Sequence, residues 1–173
     1  MISNIVILGI NRNVSKQVAE ILSEQLQMHY LDTIELFEFD NIPRTFADIL
    51  AQKGERYFRK KEKGLNNYVA GFDNTVIHAE SGSVIKKKTI DELKTNCIIV
   101  YLHFPLSNVR NYLKNQKYKT PELKRFFCIN EKRLKRRIDL LKQRCNIKIN
   151  AQGKSPLRLT SEILRSFEEY FKK

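Results

Sequence analysis

The chain has 173 residues, 42% hydrophobic and 29% charged, which suffices for one packed core and is too short for two ordinary domains, so a single domain over 1–173 is expected. No apolar run approaches the roughly 18 to 20 residues of a membrane span, the start Met1-Ile2-Ser3-Asn4 lacks the features of a signal peptide, and Cys97, Cys128 and Cys145 stand nowhere at the two-residue interval of a metal or redox site; a soluble, cytoplasmic, monomeric protein with reduced thiols is expected. Lys and Arg number 32 against 19 Asp and Glu, a formal charge of +13, which suits an anionic partner, nucleic acid or a phosphorylated or carboxylated small molecule, or simply a well-solvated surface.

Ile5-Val6-Ile7-Leu8-Gly9 is a β-branched run ended by glycine, and Val18, Ile21, Leu22 and Leu26 recur at helical spacing after it. This is a strand, a turn and a helix. His29 to Asp32 reads as a second strand, Phe46, Ile49, Leu50, Tyr57 and Phe58 as an amphipathic helix running into Lys60 to Lys63, and Leu65 to Ala70 as another helix. Asn74 to Ala79 is a third strand, followed by the turn Glu80-Ser81-Gly82-Ser83 and a short helix near Ile90 to Leu93. Cys97 to Leu102, apolar throughout, has the pattern of a central parallel strand. A helix from Leu106 to Leu113, a polar stretch Lys114 to Thr120 and a long basic helix from Pro121 to about Arg144 come next. Asn146 to Asn150 alternates as a last strand, and Ser155 and Pro156 open the terminal helix. Strands alternating with helices predict an α/β/α three-layer fold with a central parallel sheet of about five strands.

In such a fold the turn after the first strand is the natural anion site, because the next helix presents free amides there. A phosphate loop reads G-x-x-x-x-G-K-[ST], with glycines that let amides wrap phosphates, a Lys on the terminal phosphates and a hydroxyl on magnesium. Here Gly9 is the first glycine, but the second becomes Val14, the lysine becomes Ser15 and the hydroxyl position becomes Lys16. A β-branched residue is unfavourable where φ must be positive. An ordinary turn that holds no nucleotide is the reading these residues favour.

The chain resembles the shikimate kinase family, P-loop enzymes that phosphorylate shikimate with ATP and Mg²⁺. The similarity is carried by Gly9 through Asp32-Thr33-Ile34, by Gly54-Glu55 with Phe58-Arg59 and Glu62, similar to the family's G-E-x-x-F-R-x-x-E, and by Val76 to Val84, similar to its G-G-G-S-V turn. Ile98 to Leu102, Arg137 to Leu141 and Gly153-Lys154-Ser155-Pro156 continue it. The resemblance implies ATP and Mg²⁺ as cofactors, held near Gly9, Ser15 and Lys16, and Asp32 as a metal-shell residue. It implies that Arg59, Gly82 and Arg137 hold the carboxylate of a small ligand such as shikimate, a task suited to the guanidinium fork. Three departures stand against the chemistry. The second acid of D-x-D is Ile34, which accepts no proton; the triple glycine is Glu80-Ser81-Gly82; and the lid arginine has no clear counterpart beside Lys117 and Lys119.

The expectation is therefore a degenerate shikimate kinase-like protein that keeps a carboxylate-binding corner without efficient phosphoryl transfer. A divergent active kinase using Lys16 and Asp32 as catalytic groups is the first alternative, and a basic nucleic-acid or polyanion-binding module on the same fold is the second. The cations Lys53 to Lys63 and Lys132 to Arg144 are read as solvated helix faces flanking an anion pocket. His29, His78 and His103, at strand ends, are read as structural, and Cys128 as a weakly activated thiol.

Overall fold

The computed structural model describes residues 3–82, 87–127 and 130–172. Strands β1 (Asn4–Gly9), β2 (His29–Asp32), β3 (Thr75–Ala79), β4 (Cys97–His103) and β5 (Ile147–Asn150) form one parallel sheet in the order β2-β3-β1-β4-β5. The helices are α1 (Arg12–Leu26), α2 (Thr33–Phe39), α3 (Phe46–Ala70), α4 (Lys87–Leu93), α5 (Leu106–Asn115), α6 (Pro121–Phe127), α7 (Glu131–Arg144) and α8 (Pro156–Phe171).

The pleat of β1 divides the interior in two, because successive side chains point to opposite faces. Ile5 and Ile7 pack with Val18 and Leu22 of α1 and with Leu159 and Ile163 of α8. Val6 and Leu8 pack on the other face with Ile90 and Leu93 of α4 and Leu141 of α7. These are the three layers and the five parallel strands that the alternation of strands and helices predicts. Cys97 is buried as expected, whereas Cys145 is half-buried at the margin of the second core. Cys128 lies outside the described residues, as do Ser83 and Val84 of the glycine-turn motif. Among the described residues, no helix is long and apolar enough to cross a membrane.

Three elements differ from the sequence expectation. The first is α2, which periodicity passes over because it is only about two turns long and starts directly on β2. Second, α3 is one element from Phe46 to Ala70 instead of two, and its interruption falls at Gly54, where φ is 74° and ψ 172°. Gly64, the break that composition suggested, is helical. Third, the long basic helix is divided: α6 ends at Phe127, and Asn130 starts α7 by accepting from the Arg133 amide.

A third apolar cluster fastens α2, α3 and α6 together beside the sheet. Phe37, Phe46, Phe58 and Phe126 meet edge-to-face, with centroids 4.8 to 6.1 Å apart, and Ile34 completes the cluster. The position of the missing second acid is thus filled by core.

Candidate functional site

The carboxyl ends of β1, β2 and β3 are adjacent, and register places Asp32 beside His78 and Ile7 beside His78. In parallel α/β sheets this end is where ligands bind. Gly9 closes β1, and only Ile10 and Asn11 separate it from the first residue of α1. Gly9 is required by close approach: a Cβ there would stand 2.9 Å from the Ser15 Cβ. The Asn11 side chain caps α1 by accepting from the Val14 amide, and the Asn11 carbonyl accepts from the Ser15 amide. The only positive-φ residues among those described are Gln27, Gly54, Asn74 and Gly153, so the β1–α1 turn contains no left-handed residue.

Arg12, the first residue of α1, reaches across this end of the sheet. Its Nη2 donates to Asp32 Oδ1 at 2.9 Å and Oδ2 at 2.7 Å, and its Nη1 donates to Glu80 Oε1 at 3.0 Å. Asp32 Oδ1 also accepts from the Ile34 amide at 2.8 Å, which caps α2, and Oδ2 lies 2.7 Å from His78 Nδ1. The other ring nitrogen of His78 lies 2.9 Å from Ser15 Oγ. Asp32, His78 and Ser15 are all buried. Burial alone would raise the Asp32 pKa, but the hydrogen bond with His78 and the Arg12 charge hold it well below the usual carboxylate range. Tyr112 of α5 faces the amides at the start of α1. Burial raises its hydroxyl pKa, and the backbone amides of Asn13 and Arg12 pull it back.

A second cationic cluster forms between α3 and α7. Arg59 Nη1 donates to both oxygens of Glu62 at 2.9 Å, and Arg59 Nε donates to Glu55 at 3.3 Å. The Arg59 guanidinium lies over the Phe126 ring, 4.5 Å from its centroid. Gly82 abuts that guanidinium so closely that a Cβ would stand 2.5 Å from Nη1. Arg137 is 7% exposed, and burial followed by the neighbouring Arg59 charge lowers its pKa. Among the described residues, Arg59 Nη2 and Arg137 Nε are buried donors without a hydrogen-bond partner. Each such donor is unfavourable by about 1–3 kcal/mol, which an incoming carboxylate oxygen would relieve.

Between the two clusters opens a cavity of about 170 Å³, well below the roughly 300–1,000 Å³ of sites that hold drug-sized ligands. Gly9, Arg12 and Asn13 line one side, Tyr112, Tyr118 and Phe127 another, and Arg137 reaches it from α7.

The shikimate kinase family model matches residues 16–168, from within α1 almost to the end of α8. The chain belongs to the shikimate kinase family. The chain is 28% identical over 164 residues to a shikimate kinase from Persephonella marina, covering 93% of this chain and 96% of the relative. A Clostridium botulinum (strain Okra) shikimate kinase is 32% identical over 120 residues, 69% of this chain and 70% of the relative. Among solved structures, the fold is shared with the shikimate kinase from Acinetobacter baumannii in complex with shikimate, at a TM-score of 0.79 and 23% identity over 98% of this chain and 94% of that one.

The family residues expected from sequence fall into three groups. Gly9, Ser15 and Asp32 come together at the strand ends, with Ser15 facing His78 and Asp32 engaged by Arg12. Arg59, Gly82 and Arg137 assemble at the second cluster. Lys16 joins neither: its Nζ donates to Glu35 at 2.5 Å and lies 3.8 Å from Glu20, and the Glu35 hydrogen bond raises its pKa. Sequence reasoning missed the role of Arg12. The available signal was an arginine inside a turn that should be glycine-rich, twenty residues before an acid expected at the end of the second strand. Tyr112 carried no such signal. The exposed cations Lys53, Arg56 and Lys60 surround the half-buried Tyr57, whose ring is covered by Lys53 at 4.6 Å and Lys61 at 5.9 Å.

Proposed function

We propose that this member of the shikimate kinase family binds a small carboxylate without efficient ATP-dependent phosphorylation. The observation that carries the reading is the two-pronged grip of Arg12 on Asp32, the acid the family uses beside magnesium. An arginine in that position supplies the positive charge internally. It also leaves Asp32 with its lone pairs spent on a guanidinium, an imidazole and two α2 amides.

The residues at the strand ends do not fit Mg²⁺ and ATP. Phosphates are cradled by successive amides in a loop that passes through left-handed backbone, and here α1 starts three residues after Gly9 with no positive φ before it. Tyr112 of α5 lines the same cavity as Arg12 and Asn13 at the start of that helix. Phosphoryl transfer rests almost wholly on positioning and electrostatic stabilisation, so these substitutions act on the same step together.

The retained half is the corner of Arg59, Gly82 and Arg137. Glu62 and Phe126 hold Arg59 in place, Gly82 leaves it room, and the unpartnered nitrogens of both arginines offer charged donors to a carboxylate. A coupled assay with ATP, Mg²⁺ and shikimate tests the proposal. It is expected to show no enzyme-dependent turnover; turnover abolished by Lys16→Ala would establish the divergent kinase instead.

A further inference from the structure

The first half of α3 carries a cationic surface that carboxylate binding does not use. Lys53, Arg56, Tyr57, Arg59 and Lys60 line an open concavity of about 510 Å³, four cations and one ring, with no acid among the described lining residues. Arg56 and Lys60 stand one turn apart, and Lys53 comes beside them across the interruption at Gly54, its Nζ over the Tyr57 ring. Tyr57 is itself fixed, being packed against the cluster of Phe37, Phe46 and Phe58. A cation held on a fixed ring loses less freedom when an anion arrives than one on a free stem.

The acids that could neutralise this face are spent elsewhere. Lys16, Arg125, Lys154 and Arg158 each reach a carboxylate at 3.5 Å or less, and Arg59 reaches Glu55 and Glu62. Among the described residues, Lys53, Arg56, Lys60 and Lys61 form no ion pair, and all four are exposed. Crowded like charges repel, so an anion carrying several closely spaced charges is favoured here. The lining residues offer no aliphatic side chain to insert into a bilayer or to build the apolar centre of a protein interface, where lysine is depleted. They match a phosphodiester backbone, with the Arg56 guanidinium suited to two phosphate oxygens at once.

We infer that this face of α3 binds the sugar-phosphate backbone of nucleic acid without regard to sequence. The inference does not rest on the carboxylate corner, and it describes binding only.

Fluorescence anisotropy of a labelled oligothymidylate titrated with the full chain tests it. Affinity is expected to fall between roughly 50 and 200 mM salt with a log–log slope of roughly −2 to −3, the value for three or four phosphates neutralised on a single strand. Two triple variants separate the face from overall charge: Lys53→Glu with Arg56→Glu and Lys60→Glu on α3, and Lys132→Glu with Lys135→Glu and Arg136→Glu on α7, all at exposed positions. Both change the net charge equally. The α3 variant is expected to lose roughly tenfold or more in affinity and roughly two units of slope, and the α7 variant less than about threefold in affinity. Should the α3 variant not fold, Arg56→Gln with Lys60→Gln set against Lys135→Gln with Arg136→Gln carries the same comparison. Equal losses on the two helices overturn the inference, because total charge and not this face then governs binding. Absence of binding at the low-salt end overturns it as well. So does displacement of the oligonucleotide by polyglutamate at equal charge concentration, which would assign the face to an acidic protein.

Discussion

Arg12 decides between a vacated metal site and a repurposed one, because a carboxylate buried as deeply as Asp32 needs a cation. Asp32 has a depressed pKa in the fold, so its ionised form stabilises fully above the free-carboxyl value of roughly 3.9, and that contribution is lost as pH falls through the folded pKa. Arg12→Ala is therefore expected to lower stability at pH 7 by about 3 kcal/mol, the low end for breaking a buried pair because Arg12 is partly exposed. Urea melts across pH should show the gap between the two proteins narrowing on acidification. A gap independent of pH would mean that Asp32 does not depend on Arg12. At the other cluster, Gly82→Ala sets a methyl group against the tip of a flexible side chain, which can yield where backbone could not. The fold is expected to lose only about 1 kcal/mol. Carboxylate binding, which needs the guanidinium where Gly82 leaves it, is expected to weaken by roughly tenfold, the equivalent of 1.4 kcal/mol.

The element most exposed to a single change is α3, which carries Phe46, Phe58, Arg59 and Glu62. Gly54 interrupts it in a region of φ and ψ open essentially to glycine alone, with no neighbour within 4 Å. Gly54→Ala should cost about 1–3 kcal/mol from backbone strain without any clash, read as a lowered urea midpoint with an unchanged slope. Strands and helix types were largely legible from sequence, because β1 and β4 are built on continuous apolar runs, Ile5 to Leu8 and Cys97 to Leu102, and most helices carry period-3.6 stripes. What escaped were boundaries set by local hydrogen bonds. The Asp32-x-x-Glu35 spacing is a start signal for α2 that periodicity over seven residues cannot supply, and Asn130 breaks the basic helix through its side-chain cap. The two halves of α3 read as separate helices because glycine is a poor helix former, yet Gly64 is helical and Gly54 is the one that leaves the helix.

At the scale of the whole molecule, the candidate site was half legible. The resemblance to the shikimate kinase family pointed to Arg59, Gly82 and Arg137, and the fold brings Arg59 against Gly82 and near Arg137. The Arg12 clamp was not legible, because an ion pair between a turn and a strand twenty residues away has no period and no motif. The strongly basic balance adds a further consequence. Exposed cations such as Lys53, Arg56 and Lys60 on α3 and Lys132, Lys135 and Arg136 on α7 give any polyphosphate a diffuse attraction that weakens steeply with salt. Nucleotide binding at low ionic strength is thus no measure of the site, whereas dependence on magnesium is. Calorimetric titration of ATP at moderate salt, with and without Mg²⁺, tests the central claim most directly. The Arg12 clamp on Asp32 predicts no saturable heat that depends on Mg²⁺, and saturable ATP binding that tightens when Mg²⁺ is added would contradict it.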